Sequence, residues 1–347
     1  MGIISRLFRK NNAVEFDGDK VELESTNISC DVFSEVDENV PQEQGDYAKT
    51  IFLWIHDNAS PARKDDEYSL YVKNECGIVE PSRYHSSLVQ EGYFVPASSY
   101  AKLNTLKVVQ IKKLLSDFAM PVSGKKDVLI NRLMTTLTSD DMLNLFPSEI
   151  YELSEKGRTF LDEHYDYVLL HKHKTWNIDW VEYDKFRESG HSFYDTVWEI
   201  LNKRALNDRF LFGRSQYFHM YELLQEEGKN EQALQMLLKV LYLDLSGVCG
   251  MHYFRAYRDG MFDKDYLRSI FPSVITLAPG IVDRISKYKD LYNDAMVEEL
   301  FELSLPVRVC NKQNFLSLVY SIICGSFDMD MAEKMLRDEY NKYIARM

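Results

Sequence analysis

The sequence predicts a mostly α-helical protein with a small α+β module in its first half and an all-helical region in its second. From Trp176 onward, Tyr, Phe, Trp and Leu recur at spacings of three and four residues, the period of a helix with one buried face. Between residues 103 and 137, two short amphipathic segments flank a turn, among short β-branched or aromatic runs. We therefore expect an N-terminal tail (1–46), an α+β module (47–175) and a helical domain (176–347).

Composition limits the class of protein. The 347 residues are 45% hydrophobic and 27% charged, enough apolar material for a folded core. None of the five cysteines lies in a Cys-x-x-Cys pair, which disfavours a disulfide scaffold and a zinc finger and favours a reducing compartment. No apolar run approaches the roughly 20 residues of a membrane span, and the first ten residues lack the core of a secretory signal. We expect a cytoplasmic protein without integral membrane association.

The first 46 residues are predicted to be a tail. Residues 1–10 predict a short, basic, amphipathic segment. It would be a weak anchor to a membrane or a partner or, as we favour, a frayed N-terminal end of the chain. Arg6 stands where a myristoylation signal needs Ser or Thr, so Gly2 is expected to be unmodified. Residues 11–46 are acidic and lack a sustained apolar period, as in a flexible, solubilising segment.

Charge is distributed unevenly along the chain, although the formal net charge is −13. Residues 11–50 contain eleven acids and two lysines, a local charge of −9. Residues 100–137 contain seven basic residues and two acids, a local charge of +5. Since charges are screened over about 8–10 Å at cellular salt, the overall acidity does not exclude a local polyanion site.

The α+β module is predicted from two segments of similar character. Ile51–Ile55 is a strand or the start of a buried helix, and the spacing does not decide between them. Pro81 marks a helix start, Gly92 its end, and Tyr93–Val95 is extended. The second segment, from residue 150, predicts a short strand, a helix capped by Ser154 with Phe160 and Leu161 inward, and a strand over Tyr167–Leu170. These parts resemble a winged helix, through the loose patterns "GI..P..y...L..eGY" and "y.LtekG...L".

The segment 103–137 has the strongest signature. Its first helix is expected to bury a stripe of five apolar residues and its second a group of four, while Pro121 ends the first helix and the Ser123 hydroxyl caps the second. The expected inward residues are Val108, Ile111, Leu114, Leu115 and Phe118, then Val128, Leu129, Ile130 and Leu133.

This segment resembles the SAP motif, a helix-turn-helix module of many DNA-associated proteins. The family pattern pairs an apolar residue with lysine, continues with two apolar residues, and then has a Pro-x-x-Gly-x-Lys turn followed by Leu-x-x-Arg-Leu. Ala119 stands where the family prefers glycine. The matching positions are Ile111, Lys112, Leu114, Leu115, Met120, Pro121, Gly124, Lys126, Leu129, Arg132 and Leu133.

The start of the second helix is a candidate anion site because its free N–H groups and dipole attract phosphate. Gly124 would admit a sugar-phosphate backbone, and Lys125 and Lys126 add charge there. Lys112 and Lys113 lie on the solvated side of the first helix, and three or four phosphate contacts would give a salt slope of about −3 in log K. The candidate nucleic-acid-binding residues are Lys112, Lys113, Ser123, Gly124, Lys125, Lys126 and Arg132. Arg132 is equally consistent with a structural role, and the plain alternative is a solvated lysine face.

The second half is predicted to be helical throughout. Residues 215–247 resemble a single tetratricopeptide-like hairpin, with Gly228 at the turn and Ala233 at the close contact. No second copy at the 34-residue period is evident, so a core scaffold is favoured over a peptide-binding groove. Further helices are expected around Ile281–Leu291, Met296–Leu303, Phe315–Cys324 and Met331–Tyr343.

The sequence carries no complete motif of catalysis or cofactor binding. On a strand, His171 and His173 would share a face near Asp166, but no defined ligand set is complete, and a surface or partly buried pair is favoured over a metal site. The Asp328–Asp330 stretch lacks a calcium-loop glycine and is interpreted as a helix start. No Walker loop, GxGxxG, GxSxG or HExxH occurs. We expect no catalytic site, metal or cofactor.

The favoured function is a non-enzymatic protein that grips DNA phosphate through the hairpin, largely independent of sequence, while the helical domain recruits or regulates a protein partner. The first alternative is a protein-interaction adaptor without a nucleic-acid role, and the second is a nuclease or other enzyme with an unrecognised site. The whole arrangement, including YLDLSG at the end of the helical hairpin, resembles SAP-containing proteins of Gram-positive bacteria and their phages, which implies such an origin.

Overall fold

The computed structural model describes residues 45–188 and 190–347, which form twenty α-helices and three short strands. The predictions for the basic start and for the acidic tail as far as residue 44 lie outside the described residues. The strands are β1 Ser60–Pro61, β2 Phe94–Pro96 and β3 Ile150–Leu153. The helices of the first half are α1 Asp46–Ile55, α2 Leu70–Cys76, α3 Pro81–Gln90, α4 Ser99–Asn104, α5 Val108–Asp117, α6 Lys126–Met134, α7 Ser139–Leu145, α8 Glu155–Glu163 and α9 Tyr165–Lys172.

The second half is helical, as predicted. The helices predicted near its end are present with shifted bounds, and the one expected over Ile281–Leu291 ends at Ser286, before a short 3-10 turn. The helices are α10 Trp180–Phe186, α11 Phe193–Asn207, α12 Arg214–Glu226, α13 Asn230–Ser246, α14 Met251–Arg258, α15 Lys264–Ser269, α16 Phe271–Val274, α17 Pro279–Ser286, α18 Asp294–Phe301, α19 Lys312–Ile323 and α20 Met329–Arg346.

Helices α12 and α13 form the predicted helical hairpin. Gly228 lies at the turn with a φ of +71°, and Ala233 is fully buried. Twelve of the seventeen residues of helix α13 are buried, so it packs as a central core helix rather than as a surface helix. The Arg214 guanidinium at the start of α12 makes a bidentate pair with the buried Asp244 carboxylate, both contacts at 2.8 Å. Pairing of this kind keeps an otherwise costly buried charge satisfied.

The two sequence patterns of the α+β module meet at one junction. The Ser154 hydroxyl donates to the Gly92 carbonyl at 2.6 Å and accepts from the Gly157 N–H at 3.0 Å, so it caps α8 as predicted. The Ser154 N–H donates to the Tyr93 carbonyl at 2.9 Å. A Cβ on Gly157 would lie 2.3 Å from that same Tyr93 oxygen, so only glycine allows α8 to approach this closely. Gly92 and Tyr93 belong to the first pattern, and Ser154 and Gly157 belong to the second. Together they join helix α8 to the start of β2.

The sheet is antiparallel, with β3 between β1 and β2. Ile51–Ile55, which the spacing left open, belongs to helix α1. The expected strand over Tyr167–Leu170 is wrong, because these residues lie in helix α9, where Tyr167, Val168 and Leu170 are buried. An aromatic and β-branched run of this length is compatible with either state, and here tertiary burial stabilises the helix.

Two separate hydrophobic clusters exist among the described residues. The larger one extends from Tyr47 to Ile344 and includes residues of both the α+β module and the helical region. The six buried residues of the smaller one all lie in helices α4 to α6, and Met142 of α7 packs against them. No single described helix is long and apolar enough to cross a bilayer, although the pair Asn230–Ser246 and Val248–Arg258, bent by 45°, meets the length and composition criteria together. The domain boundary near residue 175 stays a prediction.

Candidate nucleic-acid interface

The basic hairpin is an insertion between two paired strands. Residues 97–149 leave the sheet after β2 and return at β3, and Phe94 pairs with Leu153 across the base of the insertion. The Ala97 N–H donates to the Ile150 carbonyl at 2.8 Å, and the Ser98 N–H donates to a Glu152 carboxylate oxygen at 2.8 Å. Both ends of the insertion are thus held side by side at the sheet, and the helices between them share a hydrophobic cluster of their own.

The hairpin has its own core of six fully buried residues. Helix α4 contributes one, α5 two and α6 three: Leu103, Ile111, Leu115, Leu129, Ile130 and Leu133. The predicted stripes are confirmed for these positions in α5 and α6, while Leu114 is only partly buried. The predictions for Val108, Phe118 and Val128 are wrong, because these side chains are 39%, 41% and 45% exposed. Two helices of about three turns each can cover only a narrow seam, so the flanks of each apolar stripe remain in solvent.

Helix α5 ends in a Schellman motif at a non-glycine residue. The Met120 N–H donates to the Leu115 carbonyl at 2.8 Å, and the Ala119 N–H donates to the Ser116 carbonyl at 2.9 Å. Ala119 occupies the left-handed position with a φ of +54°. The SAP motif prefers glycine at this position, and the backbone conformation supplies the physical reason.

The turn after α5 is tied down by Arg132. Its Nη1 donates to the Pro121 carbonyl at 2.8 Å and to the Ser123 carbonyl at 2.5 Å. Gly124 follows with a φ of +132°, a conformation that favours glycine. The guanidinium of Arg132 therefore serves the fold of the hairpin, which is the structural role left open by the sequence.

The expected capping role of Ser123 is wrong. Helix α6 begins at Lys126 with Lys125 as its N-cap residue, and no side chain caps its first turn. Ser123 lies two residues before the N-cap, where its carbonyl accepts from Arg132. The first-turn N–H groups of α6 thus face the exposed Gly124–Lys125 end without a side-chain acceptor.

The predicted lysines separate into a free and an engaged group. Lys112, Lys113 and Lys125 are exposed, and no carboxylate of the described residues pairs with them. Lys126 is half-buried instead, and its Nζ donates to the Asn104 carbonyl at the end of α4 at 2.5 Å. Its charge therefore also stabilises the C-terminal end of another helix.

An acid that sequence reasoning did not assign to the site lies in the first turn of α6. Asp127 is exposed, and its carboxylate accepts from the Tyr100 hydroxyl at 3.0 Å. This hydrogen bond raises the pKa of the Tyr100 phenol. A negative charge at a helix start offsets part of the positive end of the dipole, so Asp127 competes with any phosphate there. The sequence signal was available, since Asp127 directly follows Lys126.

The histidines that were considered for a metal do not share a face. His171 lies in α9 with its Nδ1 3.1 Å from a Glu75 oxygen, whereas His173 follows the helix and stacks on Trp176 with ring centroids 4.0 Å apart. Burial lowers the pKa of His171. Within residues 45–188 and 190–347, no group of three or more His, Cys, Asp or Glu side chains is placed to hold a metal ion.

Comparison with protein families matches residues 102–138 to the SAP domain. The match begins in helix α4 and ends at Thr138, the N-cap of α7, so it covers α5, α6 and the turn between them. No curated protein and no solved structure matches the chain. A SAP domain indicates nucleic-acid binding in general. About a tenth of the chain, at the hairpin inserted between β2 and β3, is thus similar to a known family: the SAP domain.

Proposed function

We propose that the protein is a non-enzymatic DNA-binding protein whose SAP hairpin grips duplex phosphates largely independently of sequence. The observation that carries this proposal is a set of three exposed lysines without a carboxylate partner: Lys112 and Lys113 on α5, and Lys125 at the start of α6, which no side chain caps. Ammonium groups that are free of carboxylates can displace counterions from a nucleic-acid backbone. Gly124 leaves room there for a sugar-phosphate chain, while Arg132 holds the turn in place.

We further propose that the elements around the hairpin form a winged helix in which the SAP hairpin occupies the place of the wing. The order is helix, strand, two helices, strand, insertion and strand, and β3 pairs with both other strands. The insertion lies between the two strands that a wing would connect. The hairpin in this position has a hydrophobic cluster separate from the main core, which supports a role as an exposed contact with a duplex.

The helical region is proposed to recruit or regulate a protein partner, with the α12–α13 hairpin as its tetratricopeptide-like scaffold. Burial of most of α13 supports a scaffold rather than a groove. The origin in Gram-positive bacteria or their phages and the cytoplasmic location stay predictions. The competing function is an adaptor whose hairpin has no nucleic-acid role.

The test is a salt titration of a fluorescent duplex against the full chain by anisotropy. Three contacts at about 0.9 each predict a slope close to −3 for the wild type. In the variant Lys112→Gln, Lys113→Gln, Lys125→Gln, we expect the slope to approach zero and the affinity at about 0.1 M salt to fall on the order of a hundredfold.

The matched control neutralises three exposed lysines of the helical region, Lys287→Gln, Lys289→Gln and Lys334→Gln. It changes the net charge equally and should keep the wild-type slope. If the hairpin variant and the control bind the duplex alike, the adaptor function is favoured and the DNA proposal fails.

A further inference from the structure

Helices α1, α2 and α9 meet at a surface where lysines lie among aromatic rings. Helix α1 packs against both α2 and α9. Both lysines of this surface are exposed, and its outermost tyrosine, Tyr165, is 37% exposed. The five residues that we call the aromatic–lysine patch are Trp54 from α1, Tyr71 from α2, Tyr165 and Lys172 from α9, and Lys174 just after α9.

Lys172 joins two of the rings. Its ammonium lies 5.6 Å from the centroid of the Trp54 ring and 5.1 Å from that of Tyr165, and it donates to the Tyr165 hydroxyl at 2.9 Å. A cation at such distances is attracted by the negative face of an aromatic ring. Within the part of the chain that the structure describes, no carboxylate pairs with Lys172, so its charge is available to an anionic ligand.

His171 joins the other half of the patch to Trp54. The centroid of its ring lies 5.6 Å from that of Trp54 and 5.3 Å from that of Tyr71. The Lys174 ammonium lies 5.5 Å from the Tyr71 ring centroid and pairs with the Glu75 carboxylate at 2.5 Å. These distances connect the three rings and the two lysines into one continuous surface.

The patch favours an anion although one acid contacts it. The Glu75 carboxylate pairs with Lys174, accepts from the Tyr47 hydroxyl at 2.8 Å and lies 3.1 Å from His171 Nδ1. Burial lowers the pKa of His171, so its ring is neutral at pH 7. The two ammonium groups of the patch therefore exceed the one carboxylate that contacts it, and the excess charge attracts an anionic ligand.

Single-stranded nucleic acid matches this combination of rings and lysines. Its phosphates supply the negative charge, and its unpaired bases have flat faces that stack on aromatic side chains. A duplex matches the patch less well, because its bases stack on one another and present only their edges to a protein. A small anion without a flat group would use the lysines and leave the rings without a partner.

We propose that the aromatic–lysine patch binds single-stranded nucleic acid, with a base stacked on Tyr165 and with phosphates at Lys172 and Lys174. This inference goes beyond the proposed function, since it uses none of the hairpin residues and concerns a different form of nucleic acid. The chain thus binds a duplex and a single strand through different residues.

The test uses the full chain with the hairpin substitutions Lys112→Gln, Lys113→Gln and Lys125→Gln, so that the hairpin lysines add nothing to binding. The probe is a fluorescent 12-nucleotide oligothymidylate, followed by anisotropy from about 0.05 M salt upward. We expect a dissociation constant of about 0.1 mM or tighter at the lowest salt. The slope of log K against log salt should be about −1.4, because two phosphate contacts on a single strand contribute about 0.7 each.

An oligomer of the same length with abasic sites in place of the bases separates stacking from charge. It carries the same phosphates, so a contact through the lysines alone would bind both oligomers equally. Stacking at Tyr165 should instead make the abasic oligomer at least about tenfold weaker. This comparison leaves the protein unchanged. Equal affinity for the two oligomers, or no binding of the oligothymidylate, overturns the proposal.

Two further substitutions in the same chain locate the site. Tyr165→Ser should weaken the oligothymidylate about tenfold and the abasic oligomer less than about twofold, because it removes only a stacking surface. Lys172→Gln should weaken both oligomers and reduce the slope by about 0.7. Tyr165 belongs to neither hydrophobic cluster, so its variant should melt like the parent chain.

The matched controls are Tyr320→Ser and Lys334→Gln, at an exposed tyrosine and an exposed lysine of the helical region. They should change neither the affinity nor the slope. If they weaken the oligothymidylate as much as the patch variants do, the single strand binds elsewhere and the proposal fails.

The inference and the proposed function can fail separately. If the wild type binds the duplex with a lysine-dependent slope and the hairpin variant does not bind the oligothymidylate, the patch fails while the proposed function stands. If the wild type does not bind the duplex and the hairpin variant binds the oligothymidylate through Tyr165 and Lys172, the hairpin proposal fails and the patch stands.

Discussion

Two helical hairpins of the same chain are built by the same local rules and have opposite surroundings. The α5–α6 hairpin pairs helices of 10 and 9 residues around a separate cluster of six buried side chains, one of which, Leu103, comes from α4. The α12–α13 hairpin pairs helices of 13 and 17 residues, and twelve residues of α13 are buried. An amphipathic pair that other elements cover becomes part of the core, whereas a pair that they do not cover keeps its outer faces in solvent. Lys112, Lys113 and Lys125 of the SAP hairpin are exposed beside a small hydrophobic cluster that is separate from the main one.

The largest expected effect comes from the two cores. Leu237→Ala in α13 and Leu133→Ala in α6 each remove a fully buried side chain. Leu237→Ala should lower the free energy of unfolding of the whole molecule by about 2–5 kcal/mol, because its cavity lies in the main cluster. Leu133→Ala should mainly open the hairpin, since its contacts lie in the smaller cluster. Chemical denaturation measures the loss of global stability in Leu237→Ala, and amide hydrogen exchange over residues 103–137 measures the local opening in Leu133→Ala.

The Leu133 result decides how independent the hairpin is. We expect exchange to accelerate within the insertion while α13 keeps the protection of the wild type. A loss of global stability as large as that of Leu237→Ala would show that the two clusters unfold as one unit, and the comparison between the hairpins would fail.

A smaller effect is expected where both hairpins end their first helix. The Lys229 N–H donates to the Leu224 carbonyl in a Schellman motif at Gly228, matching the motif at Ala119. Because alanine is strained in the left-handed region, Ala119→Gly should stabilise the SAP hairpin by about 1 kcal/mol, and Gly228→Ala should destabilise its hairpin by a similar amount. Nothing lies within 4 Å of a Cβ built on Gly228, so backbone strain alone is tested there.

The measurement is local opening by hydrogen exchange for Ala119→Gly and the melting temperature for Gly228→Ala. If Ala119→Gly stabilises its hairpin and Gly228→Ala destabilises the other, the same left-handed backbone conformation is needed at both turns. If Ala119→Gly destabilises the hairpin, the alanine side chain contributes packing that outweighs the strain.

The sequence predicted the hairpin well because its signals are local. The helical period, Pro121 and Gly124 act within a few residues, and the family pattern rests on the same positions. The contact of Lys126 with Asn104 joins residues 22 apart and has no signature in the sequence. The contacts of Arg132 with the Pro121 and Ser123 carbonyls have no signature either, because the position of Arg132 in the family pattern is equally consistent with a phosphate contact.

The wrong predictions share a physical cause. Val108, Phe118 and Val128 have the right period but lie at the edges of a stripe, and period alone does not say how wide a stripe the neighbours cover. Tyr167–Leu170 has strand-like residues, yet α9 packs against α1 and α8, and this tertiary packing outweighs local propensity. Burial is decided by partners distant in the sequence, so it was the least predictable property.

The smallest expected effect concerns the acidic residue in the first turn of the second helix of each hairpin. Asp127 lies in the first turn of α6 and Glu231 in the first turn of α13. Asp127→Asn keeps an oxygen for the Tyr100 hydroxyl and removes a charge worth about 0.3–1 kcal/mol at a helix start, so duplex affinity at low salt should rise about twofold to fivefold. The gain should shrink as salt screens the site, and Glu231→Gln, which removes the same charge from the scaffold hairpin, should leave affinity unchanged. Equal gains in both variants would mean that the duplex responds to net charge rather than to the start of α6, and the phosphate would then have to be placed elsewhere on the hairpin.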